Sequence, residues 1–275
     1  MPAASTITAV LRRHDLWEPA VSVQHRAFER FERSAPNELL QMDFKGHVAT
    51  GTGVRCHPLT ILDDHSRFLG GLYACPDETH PTVQVCLITT FRTYGLPEAM
   101  VMDNGAPWGD EADTRYTRFT VWLLRLGIEV LHGRPYHPQT QGKDERLHRT
   151  LSEELLCRVD LPDLAAYQTA FDHWRLLYNT QRPHEALGLQ PPSTRYQPSP
   201  RPFPEVLPPL VYPSEAVLRK VDAYGKLSFR GQPYRLGRAF AGEWVALTPD
   251  PLLDGLLSVF FGQFHVGSLN LKDAS

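Results

Sequence analysis

Through most of the chain, short apolar runs alternate with stretches of helical period. Leu39 to Phe44, Leu59 to Leu62 and Phe68 to Tyr73 are three closely spaced strand-like runs, the pattern of an antiparallel meander. From His80 to Tyr94, the apolar residues Val83, Leu87 and Phe91 fall on one helical face. Ala99 to Met102 reads as a short strand, ended by the turn residues Asp103, Asn104 and Gly105. Thr117 to Leu126 is a predicted helix stopped by Gly127, and Ile128 to Leu131 a further strand. Beyond a loop rich in Gly, Pro and Gln, two more helices are expected, Lys143 to Arg158 and Leu164 to Tyr178. The last stretch turns to period two in VLRKVDAYGKLSFRGQPYRLG, EWVALTP and LSVFFGQFHVGSLNL, which predicts about five short strands of a small all-β, barrel-like module.

Three adjacent strands followed by helices alternating with two more describe an α/β fold with a mixed sheet flanked by helices. The ribonuclease-H-like topology fits that order best. Nine of the 24 prolines lie between Pro191 and Pro213, where no helix can run and the backbone is stiff. The expected division is therefore 1–36, a residual helix (TITAVLRRH, capped by Ser5 or Thr6) and connector; 37–190, a core; 191–213, a Pro-rich linker; and 214–275, the β module.

Composition narrows the function classes. At 42% hydrophobic and 21% charged residues the chain is an ordinary globular protein, which excludes fibrous and wholly disordered readings. Lys and Arg number 28 against 31 Asp and Glu, a net charge of −3, so the chain is not a polycation and any affinity for nucleic acid must come from local charge. No apolar run reaches the length of a bilayer span, and the expectation is a cytoplasmic protein with no membrane partner. Cys56, Cys75, Cys86 and Cys157 lack any C-x-x-C spacing and read as reduced thiols. None of the 12 histidines forms an H-x-x-x-H pair with an adjacent acid.

Three carboxylates stand where such a fold gathers its strand ends: Asp43 in LLQMDFKG, Asp103 in VMDNG and Glu145 in HPQTQGKDERLHRTL. Asp43 interrupts an apolar run, a costly position unless the charge is paired or metal-bound. Singly, each also has an ordinary reading: a capped turn residue, a routine Asp-Asn-Gly turn, a surface charge on a helix. Their joint context is more specific. NELLQMDFKG, PLTILDDHSRF, VMDNGAPWG, GRPYHPQTQGKDERLHRTL and YNTQRPHEALGLQPPSTRY together resemble the catalytic core of bacterial insertion-sequence transposases of the DDE family, related to retroviral integrases. The resemblance runs from about Phe28 to Tyr196, and the β module is similar to that family's C-terminal domain.

The resemblance implies a DNA transposase or integrase, a polynucleotidyl transferase in which Asp43, Asp103 and Glu145 hold two Mg²⁺ (or Mn²⁺) ions. Water would first free a 3′-OH at the element end, and that hydroxyl would then attack target DNA. It also implies double-stranded DNA as partner, a homo-oligomer on that DNA, and a nucleoid-associated location. Lys143, Arg146 and Arg149 on the Glu145 helix, with His137 and Gln141 in the preceding loop, are the expected DNA contacts. Two departures stand out. Ser152, seven residues beyond Glu145, occupies a place where the family usually has Lys or Arg, and the interval from Asp103 to Glu145 is long for the family. Asp63 and Asp64, next to Ser66 and Arg67, are read as fixing a turn. Two other functions stay open: a hydrolytic nuclease of the same fold, and a truncated, non-catalytic DNA-binding or inhibitory remnant, since TITAVLRRH is similar to the last helix of a helix-turn-helix region.

Overall fold

The computed structural model describes Arg13 and residues 32–102, 116–132, 142–250, 252–253 and 255–271. Residues 1–32 form a unit of their own, and 33–275 a second unit with all the elements named below. The first of these are β1 (Leu40–Phe44), β2 (Val48–Ala49), β3 (Arg55–Asp63) and β4 (Leu69–Cys75). They are followed by α1 (His80–Tyr94), β5 (Ala99–Met102), α2 (Arg118–Arg125) and β6 (Glu129–His132). Then come α3 (Gly142–Leu151), a π turn over Ser152–Leu156, and α4 (Leu164–Thr180).

β4, β3, β1, β5 and β6 lie side by side, and β2 pairs with the start of β3. The pairs β1/β3 and β3/β4 are antiparallel, whereas β1/β5 and β5/β6 are parallel, so the sheet is mixed as its sequence pattern predicts. Alternation along β1 sends Leu40 and Met42 into an apolar cluster with α1 and α2. Phe44 packs on the same side, and the alternate positions Gln41 and Asp43 project from the opposite face. There Leu62, Leu69 and Leu72 of the sheet pack against Leu147 and Leu151 of α3 and Tyr167, Phe171, Trp174 and Tyr178 of α4. Burying an aromatic of this size contributes up to roughly 3 kcal/mol, so α4 is the main clamp on that face.

α4 also closes the free edge of the sheet. Asn179 accepts from the Leu69 backbone N–H at 2.8 Å and donates to the Leu69 carbonyl at 3.0 Å, both within the buried core. Asn179→Ala leaves two buried backbone groups unsatisfied, and we expect it to cost roughly 3 kcal/mol in urea unfolding. A loss below about 1 kcal/mol would mean that water replaces the amide.

The Pro-rich segment is bonded to the core along its length. Leu96 N–H donates to Arg201 O at 2.7 Å and Ser199 N–H to Tyr94 O at 2.8 Å. The Arg201 guanidinium bonds the carbonyls of Pro97, Leu126 and Gly127 at 2.8 to 3.0 Å. Gly95, at φ 79°, makes room for this strap, because a Cβ there would lie 2.6 Å from Ser199 O.

The last region holds β7 (Val217–Lys220), β8 (Lys226–Phe229), β9 (Gln232–Arg235), β10 (Trp244–Pro249), β11 (Leu256–Phe261) and β12 (Phe264–Asn270). β12, β11, β10 and β7 form one antiparallel sheet and β8 pairs with β9, six strands where the sequence predicts about five. The module meets α2 through an Arg125–Glu243 ion pair at 2.8 Å and an edge-to-face contact of Tyr116 with Phe240. Cys56, Cys75 and Cys86 are buried free thiols and Cys157 is exposed. Among the described residues, no helix is long and apolar enough to cross a membrane.

Candidate active site

Asp43 lies at the carboxyl end of β1, directly opposite Thr60 of β3. Its Oδ1 accepts from the Phe44 N–H at 2.8 Å, and its side chain is 35% exposed. Oδ2 lies 3.9 Å from Nδ1 of His148 on α3. The other ring nitrogen of His148, Nε2, is 2.9 Å from the Thr60 hydroxyl, which itself donates to Asp43 O at 3.0 Å. Since that hydroxyl proton is already committed, Nε2 must be the donor, and this assigns the Nε2–H tautomer to the neutral ring. Burial, and to a smaller degree Lys45, hold the imidazole pKa down at about 4, so the approach to Asp43 is not an ion pair at neutral pH.

Next to it, the acids at the end of β3 tie the local chain together. Asp63 accepts from the Ser66 N–H (2.7 Å), the Ser66 hydroxyl (2.6 Å) and the Asn37 N–H (2.7 Å), which makes it the turn-fixing residue that its sequence context suggests. Asp64 is fully buried, accepting from Gln41 Nε2 at 2.6 Å, the Arg33 N–H at 2.9 Å and Lys143 Nζ at 2.5 Å. Lys143 also donates to the Asp64 carbonyl at 3.2 Å. The ammonium of this expected DNA contact is thus engaged with Asp64, pinning the first turn of α3 to the sheet.

The same turn of α3 carries Asp144 and Glu145, which point in different directions. Glu145 is exposed, whereas Asp144 is 3% exposed, with no hydrogen-bond partner for its Oδ1. Burial raises the Asp144 pKa well above the carboxylate range, and the charges of Asp43 and Asp64 add to the effect. In the sequence Asp144 is masked by its neighbour, the motif glutamate Glu145. Its signal is the helical stripe Asp144, Leu147, His148 and Leu151, all buried, in which one member is an acid.

Arg146 and Arg149 are exposed on α3, and Arg146 lies 3.8 Å from Glu185 in an open pair that contributes little. Ser152 opens the π turn, its carbonyl accepting from the Cys157 N–H at 2.9 Å, so the α-helix expected to run to Arg158 changes winding there. Asp103, His137 and Gln141 lie outside the described residues. The structure therefore brings Asp43 and α3 together, while β5, parallel to β1, ends at Met102, the residue before Asp103. Among the described residues, no group of three or more His, Cys, Asp or Glu side chains is close enough to hold a metal ion.

Two family models described as "Integrase core domain" match residues 33–138 and 126–192. The chain carries an integrase core domain. A third model, the C-terminal domain of IS481 family transposases, matches residues 216–275, so the core is followed by the C-terminal domain of that transposase family. An uncharacterized 39.2 kDa protein of insertion element IS476 from Xanthomonas euvesicatoria is 27% identical over 161 residues, 58% of this chain and 44% of that protein. An uncharacterized 31.7 kDa protein of insertion element IS407 from Burkholderia multivorans is 26% identical over 160 residues, 58% of this chain and 55% of its own length. The chain spans about half the length of these curated relatives. Among solved structures, a chain of the simian T-cell lymphotropic virus intasome in complex with PP2A regulatory subunit B56 gamma superposes with a TM-score of 0.50 and 17% identity. That match covers 93% of this chain and 92% of the other, a likeness of fold.

Proposed function

We propose that this chain is a DNA transposase that frees a 3′-OH at the ends of a mobile element and joins it to target DNA. The observation that supports this most is the place of Asp43, on the sheet face covered by the helix that bears Glu145, within the stretch matched by the integrase core models. Asp103, following the strand parallel to β1, is proposed as the third acid.

The donors suit a divalent cation. Asp43 is accessible, the buried Asp144 has an oxygen without a partner, and carboxylate oxygens are hard ligands that favour Mg²⁺ or Mn²⁺ over zinc. Asp43, Asp103 and Glu145 would hold two such ions, which when bound activate the attacking oxygen and stabilise the leaving one. The chain's own groups orient the acids. The Phe44 N–H fixes one oxygen of Asp43, the Thr60–His148 bond ties β3 to α3, and Lys143 on Asp64 anchors the start of α3. Arg146 and Arg149, together with His137 and Gln141 of the preceding loop, are proposed to meet phosphates. Both ends of an element must be handled together, so the proposed working form is a homo-oligomer on double-stranded DNA.

The β module is proposed to add sequence-independent affinity. Arg219 of β7 and Arg230 of the β8–β9 turn lie over the Phe229 ring, 5.5 and 5.4 Å from its centroid, so one aromatic ring gathers two guanidinium groups. Replacing both by Glu should lower the log–log salt slope of DNA binding by about 2, as two phosphates lose their partners. Anisotropy titrations over a range of salt check this, and an unchanged slope would remove this arginine pair from the interface.

The function itself is tested by a gel assay with Mg²⁺ and DNA carrying both flanks of the gene. Cut ends together with joined products are expected. Cutting without joining would make the protein a nuclease, and binding without either would make it a non-catalytic DNA-binding protein.

A further inference from the structure

β4 and α1 each bring a cysteine to the same face of the sheet. Cys75 is the last residue of β4, paired with His57 of β3, and Cys86 lies in the second turn of α1. Both belong to the apolar cluster that holds Leu40 and Met42 of β1, on the side away from Asp43. Their sulfurs are 3.7 Å apart, in van der Waals contact. The chain between them is short and tied down. Asp77 Oδ1 accepts from the Thr79 N–H at 3.0 Å and from the hydroxyls of Thr79 and Thr82 at 2.7 Å, and the Val83 N–H donates to Thr79 O at 3.0 Å. This connection sets α1 over the end of β4, and the two thiols with it. Cys56 is buried as well, but in the cluster on the other face, with α4.

We propose that Cys75 and Cys86 are an oxidisable dithiol, which a peroxide converts into a disulfide that fastens α1 to the outermost strand, β4. The inference concerns the core itself and stands apart from the proposed function. A disulfide holds its sulfurs about 2.0 Å apart, so the pair has about 1.7 Å to close from its 3.7 Å separation, within reach of side-chain rotation. Cys86, 8% exposed against 1% for Cys75, is the sulfur that a small oxidant meets first. The hydrogen bond from Cys75 also lowers the Cys86 pKa against the opposing effect of burial, which favours the reactive thiolate there. The Cys86 sulfur attacks a peroxide oxygen: an S–O bond forms, the O–O bond breaks, and hydroxide leaves with the thiol proton as water. The Cys75 sulfur then attacks Cys86. An S–S bond forms, the S–O bond breaks, and the hydroxyl leaves with the Cys75 proton as a second water. Two electrons thus pass from the thiols to one peroxide.

The test treats the whole folded chain with hydrogen peroxide, removes the oxidant, alkylates the remaining thiols in urea and digests after glutamate without reductant. Glu78 lies between the two cysteines, so cleavage there gives two peptides that stay together only through a disulfide. We expect that joined pair in the mass spectrum, lighter by two hydrogens than its parts. Closing a loop of this length should also raise the melting temperature of the oxidised chain by roughly 5 °C over the reduced one. Dithiothreitol should reverse both effects. Cys75→Ala, compared with itself before and after peroxide, should show neither, which also accounts for oxidation at the exposed Cys157. Recovery of Cys75 and Cys86 as separate alkylated peptides, or of Cys86 as a sulfinic acid with Cys75 still a thiol, would overturn the proposal. A disulfide that forms but leaves the melting temperature unchanged or lower overturns it too, and should Cys75→Ala fail to fold, the peptide map and melting of the parent decide alone.

Discussion

Asp43→Asn, Asp103→Asn and Glu145→Gln are each expected to abolish strand cleavage and joining, by at least about a hundredfold, while the fold persists. Each change removes one negative oxygen from the acids proposed to surround the reacting phosphate and alters the side-chain volume little. Asp43 is the most informative of the three. Its Oδ1 is held by the Phe44 N–H, and its other oxygen is turned toward α3, so the amide fits the same space with half the ligand chemistry lost. Circular dichroism and melting should match the parent, and product on sequencing gels should vanish. Near-parental joining by any one variant in Mg²⁺ would remove that residue from the proposed triad.

The second large effect concerns stability. Asp64→Ala is expected to cost roughly 3–5 kcal/mol in urea unfolding, because it leaves the Lys143 ammonium, in a side chain 12% exposed, without its counter-charge. The Gln41 amide and the Arg33 N–H lose their acceptor at the same time. Lys143→Met combined with Asp64→Ala should cost less than the two single changes added together, since the charge stranded by either one is gone. Additive losses would mean that the pair is not coupled. The same bond explains why Lys143, read from sequence as a DNA contact, is engaged within the protein.

Much of the core was legible because its sheet faces are strongly patterned. LQMDF alternates, so the side of the sheet on which Asp43 emerges follows from Leu40 and Met42 alone, and the structure places those two in the α1–α2 cluster. The turn role of Asp63 was legible because Ser66 follows at hydrogen-bonding distance in the chain. The π turn was not. SEELL contains no helix breaker, and the winding is set with the help of tertiary partners, Trp174 donating to Glu154 at 3.0 Å and Arg182 pairing with the same carboxylate. Proline content announced a stiff segment, but its docking depends on Gly95 and Arg201, which meet only in the fold. Within the candidate site, Asp43 stood out as an acid in an apolar strand. Asp144 was hidden, because only the helical phase set by Leu147 and Leu151 tells which of two adjacent acids turns inward.

The most direct measurement supplies the chemistry with its intermediate already made. A duplex copying one flank of the gene, cut to expose a 3′-OH at the element end, is incubated with the protein, Mg²⁺ and a supercoiled plasmid. Labelled duplex is expected to become covalently attached to plasmid DNA through that 3′-OH, with none attached by Asp43→Asn. Plasmid nicking without attachment, or attachment that persists in Asp43→Asn, would contradict the proposed function.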